Sequence, residues 1–214
     1  MLTSAHAETA AGAFCTAAAN APLRASVRRR MRAKARPLTA PPDASTAERS
    51  RILEEAYERY LPYVAKMGFR LLGRPDEVDD LIQDVFVAAA ERLPYLREPG
   101  ALKGWLASIT VRTALKKLRR RRLRRMLSLS DEPISARDVS GFVNPGAPAD
   151  VSLLLVQVFR ILDTVPARER LAWSLRVLEE EPLEVVAELC GCSLSTVKRR
   201  VAMVQGVIDR EVRS

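Results

Sequence analysis

The sequence has few of the residues that bind metals, form disulfide bonds or fill β-sheet cores. Among its 214 residues are three cysteines and one histidine, and aromatic residues make up 5% of the chain. This set (Cys15, Cys190, Cys192 and His6) supplies neither a disulfide framework nor a full structural zinc site, and it fits a reducing cytoplasm. The low aromatic content favours helices over a β-sandwich or barrel. We therefore expect no metal and no cofactor.

Long apolar runs and catalytic motifs are also lacking. No apolar stretch approaches the roughly 20 residues needed to span a bilayer. The N-terminus lacks the signal-peptide order of charge, apolar core and cleavage site. We find no phosphate-binding glycine loop and no catalytic triad, so no catalytic residue is predicted. These absences predict a cytoplasmic protein that is not an enzyme and does not bind a membrane.

Positive charge is what the sequence has in excess. The formal net charge at pH 7 is +9. Clustered Lys and Arg side chains gain free energy by displacing counterions from phosphates, so this charge favours a polyanionic partner. A basic structural or ribosome-associated protein would account for the charge equally well. The distribution of the charge along the chain is therefore more informative than its sum.

Composition and periodicity divide the chain into four parts. An Ala- and Arg-rich extension lacks a sustained apolar face and is predicted to be disordered, and Met31 is an alternative start to Met1. Helical periodicity follows, is interrupted by a segment rich in Pro, Gly, Ser and Asp, and then resumes. We predict an all-α chain of two small helical domains joined by a flexible linker. The extension, first domain, linker and second domain occupy residues 1–47, 48–125, 126–150 and 151–214.

Residues 182–204 have the pattern of a helix-turn-helix. A short helix ends at Gly191, which tolerates the positive φ of a tight turn, and Ser193 is a good N-cap for the next helix. Apolar residues line one face of that helix, and hydroxyl and basic residues line the other. We predict that this second helix enters the DNA major groove, although a surface hairpin with a solvated basic face is the alternative. The candidate DNA-binding residues are Ser193, Ser195, Thr196, Lys198, Arg199 and Arg200.

Charge is segregated between the second and third helices of the first domain. The second helix has an apolar stripe from Val78 to Leu93, and Asp80, Gln83 and Asp84 lie largely opposite that stripe. Such an acidic face would repel DNA, so we expect it to face solvent or a basic protein. The third helix ends in a run of arginines. We predict that these bind phosphates, although a solvated face is the alternative. The candidates are Arg119, Arg120, Arg121 and Arg122.

Both patterns resemble a known family. The segment DDLIQDVF is similar to the acidic D-x-x-Q-[DE]-x-F motif in region 2 of the extracytoplasmic-function (ECF) sigma factors, and WLASI is similar to their W-L-x-x-I motif. The C-terminal run, including PLEVVAELCGCSLSTVKRR, resembles their region 4. The region 2 and region 4 runs together cover most of the chain. Two motifs in this order are more specific than either motif alone.

The resemblance implies a role for each element. Asp80, Gln83 and Asp84 would dock on the β′ clamp helices of core RNA polymerase, and region 4 on the β flap. The loop containing Tyr95 would capture an unstacked base of the minus-ten promoter element. The arginine run would lie near the DNA backbone, and the helix-turn-helix would read the minus-thirty-five element. The resemblance leaves an anti-sigma factor open as a further partner.

A departure from the family pattern in the third helix limits this transfer. Arg112 and Lys116 stand where many relatives have Asn and Asp, so base-specific contacts of the third helix are not carried over.

The alternative function is a helix-turn-helix repressor or activator that acts without the polymerase core. It explains the second domain equally well, but it does not explain the acidic and basic helices of the first.

Overall fold

The computed structural model describes residues 44–93, 102–127, 134–140 and 149–213. Within these residues it contains eight helices and no strands, which confirms the predicted all-α class. The predicted extension thus lies almost entirely outside the described residues, as does the loop that contains Tyr95. The helices are α1 (Ala44–Leu72), α2 (Pro75–Arg92), α3 (Leu102–Met126), α4 (Ala136–Ser140), α5 (Ala149–Thr164), α6 (Ala167–Val177), α7 (Leu183–Cys190) and α8 (Leu194–Arg213).

Helices α1 to α3 pack as a bundle around the predicted apolar stripe of α2. Every member of that stripe is buried, from Val78 to Leu93. The rings of Tyr57 and Phe86 meet edge to face, with their centroids 4.8 Å apart. Gly68 lets α1 and α2 approach closely, because a Cβ atom there would lie 2.9 Å from a methyl carbon of Leu81.

The predicted boundary between α1 and α2 is confirmed. Gly73 ends α1 with a φ of +69°, and its amide donates to the Phe69 carbonyl. Pro75 occupies the first turn of α2, where its missing N–H costs nothing, and Asp76 and Glu77 follow in that turn. The described part of α1 runs unbroken through Pro62.

Helices α5 to α8 form the second group, around buried Leu162, Leu171, Trp173 and Val204. The Trp173 indole N–H donates to the Gln205 side chain at 2.9 Å. Helix α4 lies inside the predicted linker and packs on α5, with Val139 fully buried. Five residues are too few to show a helical repeat, and the sequence analysis therefore missed this helix.

The two groups of helices pack against each other. Helices α1 and α3 contact α6, and α3 also contacts α7. The rings of Phe69 and Phe159 meet edge to face across this boundary, with centroids 5.5 Å apart. Buried residues of both groups belong to one continuous apolar core. We call this arrangement the closed conformation. Within the described residues, no helix is both long and apolar enough to cross a bilayer.

Candidate nucleic-acid interface

Helices α7 and α8 form the predicted helix-turn-helix. Gly191 ends α7 with a φ of +61°, and its amide donates to the Glu188 carbonyl at 3.1 Å. The next amide, of Cys192, donates to the Ala187 carbonyl at 3.0 Å, which satisfies a second helix-end carbonyl. Ser193 caps α8, since its Oγ accepts from the Thr196 amide at 3.3 Å. The predicted turn and cap are both confirmed.

The first turns of α8 present a polar surface to solvent. Val197 and Val204 are fully buried against the rest of the domain. Their phase leaves Ser195, Lys198 and Arg199 exposed, while Thr196 is half-buried. The Ser193 hydroxyl oxygen, also exposed, lies 3.0 Å from that of Ser195 and 2.8 Å from that of Thr196.

Arg200 differs from its neighbours in α8. Its Nε lies 3.8 Å from a carboxylate oxygen of Glu169, and its Nη1 donates to the sulfur of Cys192 at 3.4 Å. Its side chain is 13% exposed. Successive helix positions are about 100° apart, so Arg199 and Arg200 face different directions. In this structure Lys198 and Arg199 are the two cations that the start of α8 presents outward.

The arginine run at the end of α3 is divided in the same way. Arg119, Arg120 and Arg122 are exposed, but Arg121 is 0% exposed. It lies one turn beyond buried Leu118 and so shares its inward face. The prediction that Arg121 binds a DNA phosphate therefore needs correction for the closed conformation, in which its guanidinium is enclosed by protein.

Arg121 is held by two carboxylates from different parts of the chain. It binds Glu77 of α2 with two hydrogen bonds, of 3.1 Å from Nε and 2.6 Å from Nη2. Its Nη1 donates to Oδ1 of Asp163, in α5, at 2.9 Å. Both Nη atoms also donate to the Leu72 carbonyl at the end of α1, at 3.0 and 3.1 Å.

A second buried arginine completes this group. Arg170 of α6 donates to the same Asp163 oxygen and to the carbonyls of Leu71 and Leu72, at 3.1 and 2.6 Å. Burial lowers the pKa of Arg170 to about 10, against the opposing effect of Asp163, so it remains a cation at neutral pH. Burial by itself would raise the pKa of Asp163, but Arg170, Arg121 and Arg125 outweigh it and hold that pKa below its usual value. We call Glu77, Arg121, Asp163 and Arg170 the Asp163 cluster.

The Asp163 cluster was not predicted from the sequence. A signal was present, because Arg121 and Arg170 occupy the same helical phase as the apolar residues around them, and Asp163 interrupts the apolar run ILDTV. Charged residues on an apolar face are buried only when they are paired. That rule predicts partners for them without saying which partners.

The predicted acidic face of α2 is exposed at Asp80 and Asp84, and Gln83 is half-buried. Asp84 lies 3.4 Å from Nζ of Lys117 in α3, and its side chain remains 55% exposed. Acidic residues of α2 and basic residues of α3 meet in a polar cleft of about 300 Å³. It is lined by Arg74, Asp76, Glu77, Asp80, Lys117, Arg120 and Arg124.

The cysteine pair of the turn has the properties of packed thiols. Cys190 and Cys192 are half-buried and unbridged. Burial, with a smaller contribution from Cys192, raises the pKa of the Cys190 thiol to about 11, which keeps it protonated and unreactive at neutral pH. In the described parts of the chain, no three His, Cys, Asp or Glu residues are grouped as metal ligands.

Comparison with known proteins agrees with this geometry. The family model for Sigma-70 region 2 matches residues 56–124, which span most of α1, all of α2 and most of α3. The ECF RNA polymerase sigma-E factors of Escherichia coli (strain K12) and Salmonella typhimurium (strain LT2) are each 29% identical to this chain over 163 residues, covering 72% of this chain and 83% of the relative. RNA polymerase sigma factor SigV of Bacillus subtilis (strain 168) is 28% identical over 136 residues, covering 64% of this chain and 76% of the relative.

A solved structure shares the fold. It contains the sigma factor RpoE in complex with the anti-sigma factor NepR, from Bartonella quintana. The TM-score is 0.56 at 22% sequence identity, and the match covers 75% of this chain and 96% of that one. A region 2 bundle followed by a helix-turn-helix is the arrangement of a sigma factor. Residues 56–124 thus match Sigma-70 region 2, and the chain is similar to ECF sigma factors over most of its length, which confirms the resemblance of its DDLIQDVF and WLASI motifs.

Proposed function

We propose that this protein binds core RNA polymerase and directs it to specific promoters for transcription initiation. The observation that carries the proposal is the presence, in one chain, of an exposed acidic face on a region 2 bundle and an exposed basic surface on a helix-turn-helix. A repressor or activator of the helix-turn-helix class needs the second surface and has no use for the first. The protein would act in the cytoplasm, together with the polymerase, and would have no catalytic activity of its own.

The acidic face is the proposed polymerase contact. Asp80, Gln83 and Asp84 would contact the β′ clamp helices, and the α5–α8 domain would contact the β flap. The exposure of both aspartates supports this assignment, since a carboxylate already enclosed by the protein's own cations could not pair with a partner. The Asp84 side chain is 55% exposed, so it can exchange its contact with Lys117 for a new partner at little cost.

Promoter DNA would contact two separate elements. The start of α8 would read the minus-thirty-five element through Ser193, Ser195, Thr196, Lys198 and Arg199, with Arg200 held against Glu169. Exposed Arg119, Arg120 and Arg122 would contact the backbone near the minus-ten element, because a row of cations binds phosphates without selecting a base. Tyr95 remains the proposed stacking partner of an unstacked minus-ten base, and it lies outside the described residues.

An anti-sigma factor is a further proposed partner. The sigma factor of the Bartonella structure is bound to one, and it has the same fold as this chain. A co-purification experiment from the native host, with the affinity-tagged full chain, would identify such a partner.

The test of the function is run-off transcription with purified core polymerase on a library of promoter fragments. The proposal expects transcripts that require both this protein and a subset of the promoters. It also expects the protein without polymerase to bind duplex promoters weakly and with a strong dependence on salt. Absence of promoter-dependent transcripts, together with nanomolar sequence-specific binding by the free protein, would instead identify a repressor or activator.

A further inference from the structure

The end of α3 exposes three large apolar side chains to water. Leu123, Met126 and Leu127 are 58%, 75% and 63% exposed, respectively. Within the described residues six large apolar side chains are exposed, and half of them lie in this stretch of five residues. A single exposed leucine is ordinary on a protein surface, whereas adjacent exposed apolar side chains commonly mark a contact with another molecule. We call these three residues the α3 stripe.

Helical phase places the α3 stripe opposite the buried face of α3. At 100° per residue, Met126, Leu123 and Leu127 together cover about 100° of the helix surface. Arg121 lies about 160° around the helix from Leu123 and is 0% exposed. Leu118, also buried, lies on the same side of the helix as Arg121. The α3 stripe therefore lies outside the core of the bundle, and its apolar surface is available to a partner.

The opposite face of the same helix end is tied to the bundle. Arg121 donates two hydrogen bonds to Glu77 of α2, at 3.1 and 2.6 Å, and two more to the Leu72 carbonyl of α1. Nη2 of Arg124 lies 3.7 Å from the same Glu77 carboxylate. All of these partners belong to the α1–α3 bundle. The bundle thus orders the end of α3, and the α3 stripe is presented on a fixed helix.

Exposed cations border the α3 stripe on both edges. By helical phase, Arg122 lies about 40° beyond Met126 on one edge, and Arg120 lies about 20° beyond Leu127 on the other. Both arginines are exposed, as is Arg119 one turn before the stripe. A ligand that fits must carry negative charge on two sides and an apolar surface between them. The minor groove of a DNA duplex has this form, because its phosphate walls lie about 6 Å apart with the base pairs between them.

We propose that the α3 stripe inserts from the minor groove between two base pairs of promoter DNA, while Arg120 and Arg122 bind phosphates on the two strands. The inference rests on the proposed function. Apolar side chains that enter the minor groove unstack a base step and kink the duplex, and nearby cations hold the deformed backbone. Insertion also adds a sequence preference that backbone contacts lack, because pyrimidine–purine steps such as TA and CA unstack most readily.

A protein surface with an acidic rim is the competing occupant of the α3 stripe. Such a partner would match the same charges, so charge alone does not separate the two. The adjacent arginines already belong to the proposed contact with the minus-ten backbone, and a single ligand accounts for both sets of side chains. Duplex DNA is therefore the occupant that the observations favour, and a measurement of core affinity tests the other.

The test makes the α3 stripe polar without shortening its side chains. The full chain carries Leu123→Gln, Met126→Gln and Leu127→Gln, which remove the apolar surface and keep good helix formers. On fully paired promoters with core polymerase, we expect run-off transcription to fall at least tenfold. One mismatched base pair, moved stepwise through the minus-ten element and the pairs upstream of it, should restore output at one or two adjacent positions, because a mismatch lowers the cost of unstacking. The matched control, Leu123→Met with Leu127→Met, keeps the stripe apolar and should retain full output.

The results that would overturn the inference differ from those that would overturn the proposed function. Full output from the glutamine variant on paired promoters, an equal loss in the control, or rescue at no position or equally at every position would overturn the inference. A loss of core affinity in a fluorescence titration would also overturn it, since the α3 stripe would then be a protein contact. If circular dichroism shows that the triple variant does not fold, Met126→Gln, which changes the most exposed of the three side chains, replaces it in the same series. Failure of the unmodified protein to transcribe any promoter would show instead that the proposed function is wrong.

Discussion

The end of α3 and the start of α8 are both rich in basic residues, but the structure exposes these residues differently. In α8, buried Val197 and Val204 set the helical phase, so that Lys198 and Arg199 point outward. In α3, four consecutive arginines occupy every direction around the helix, and Arg121 takes the inward one. The difference shows that position in a charged run does not decide exposure. The nearest buried apolar residues decide it, through the phase of the helix.

The largest effect we expect comes from comparing neighbours in the α3 run. Arg121→Ala leaves Glu77 and Asp163 without their shared partner in a buried site, which should lower the free energy of unfolding by about 3–5 kcal/mol. Arg120→Ala removes an exposed side chain and should change it by no more than about 0.5 kcal/mol. Urea denaturation followed by circular dichroism measures both values. Similar values for the two variants would show that Arg121 is not buried in solution.

Charge reversal on α2 tests whether its acidic face contacts core polymerase. Asp80→Arg combined with Asp84→Arg places two cations where a basic surface is expected to dock, at a cost of several kcal/mol. We therefore expect core affinity to fall by roughly a hundredfold or more in a fluorescence titration, with the thermal unfolding temperature nearly unchanged.

Glu55→Arg is the control for that titration, since it reverses one exposed charge on α1, outside the proposed polymerase contact residues. Unchanged affinity of the double variant, or an equal loss in the control, would remove the α2 face from the proposed polymerase contact.

Gly73 and Gly191 both have a positive φ, but Gly73 lies at the interface between the two groups of helices and Gly191 lies in the turn of the helix-turn-helix. At Gly191 a Cβ atom would meet nothing within 4 Å, so Gly191→Ala should cost only the backbone strain, about 1–2 kcal/mol. At Gly73 the same strain is joined by the collision with Phe159, and Gly73→Ala should cost a further 1–3 kcal/mol or so. Chemical denaturation gives both values. An equal cost would mean that Phe159 moves away freely and that the contact is loose.

Titration of Tyr63 is the mildest probe of the closed conformation. Burial, and next the charges of Glu179 and Glu181 from the other domain, raise its pKa to about 12. Because the folded pKa exceeds the ordinary value of 10.0, Tyr63 leaves stability unchanged below pH 10 and lowers it between pH 10 and 12. Ultraviolet titration should show a late phase whose amplitude Tyr63→Phe reduces. An unchanged late phase in Tyr63→Phe would contradict this assignment.

The local structure of both domains could be predicted because it depends on neighbours in the chain. Apolar repeats located the long helices, and the two glycines and Ser193 located the turns and the cap. Contacts between domains could not be predicted in this way. The pairing of Arg121 with Asp163 joins residues 42 positions apart, and nothing in the local pattern of either residue names the other.

The candidate site was predictable to a similar degree. The face of α8 followed from four valine and leucine positions, and the structure places Lys198 and Arg199 outward as expected. In the arginine run, the position of Leu118 one turn earlier indicates that Arg121 faces inward, but nothing in the run identifies Glu77 and Asp163 as its partners. Helix α4 was missed since its few residues carry no repeat.

The most direct measurement is a run-off transcription series on promoters that differ only in the upstream element, at two salt concentrations. The account predicts that Lys198→Ala changes the ranking of these promoters, because its side chain lies where base edges can be reached. Arg120→Ala should lower output from all of them in equal proportion and flatten the dependence on salt. If Lys198→Ala instead scales every promoter equally while Arg120→Ala alters the ranking, the assignment of reading to α8 and anchoring to α3 is contradicted.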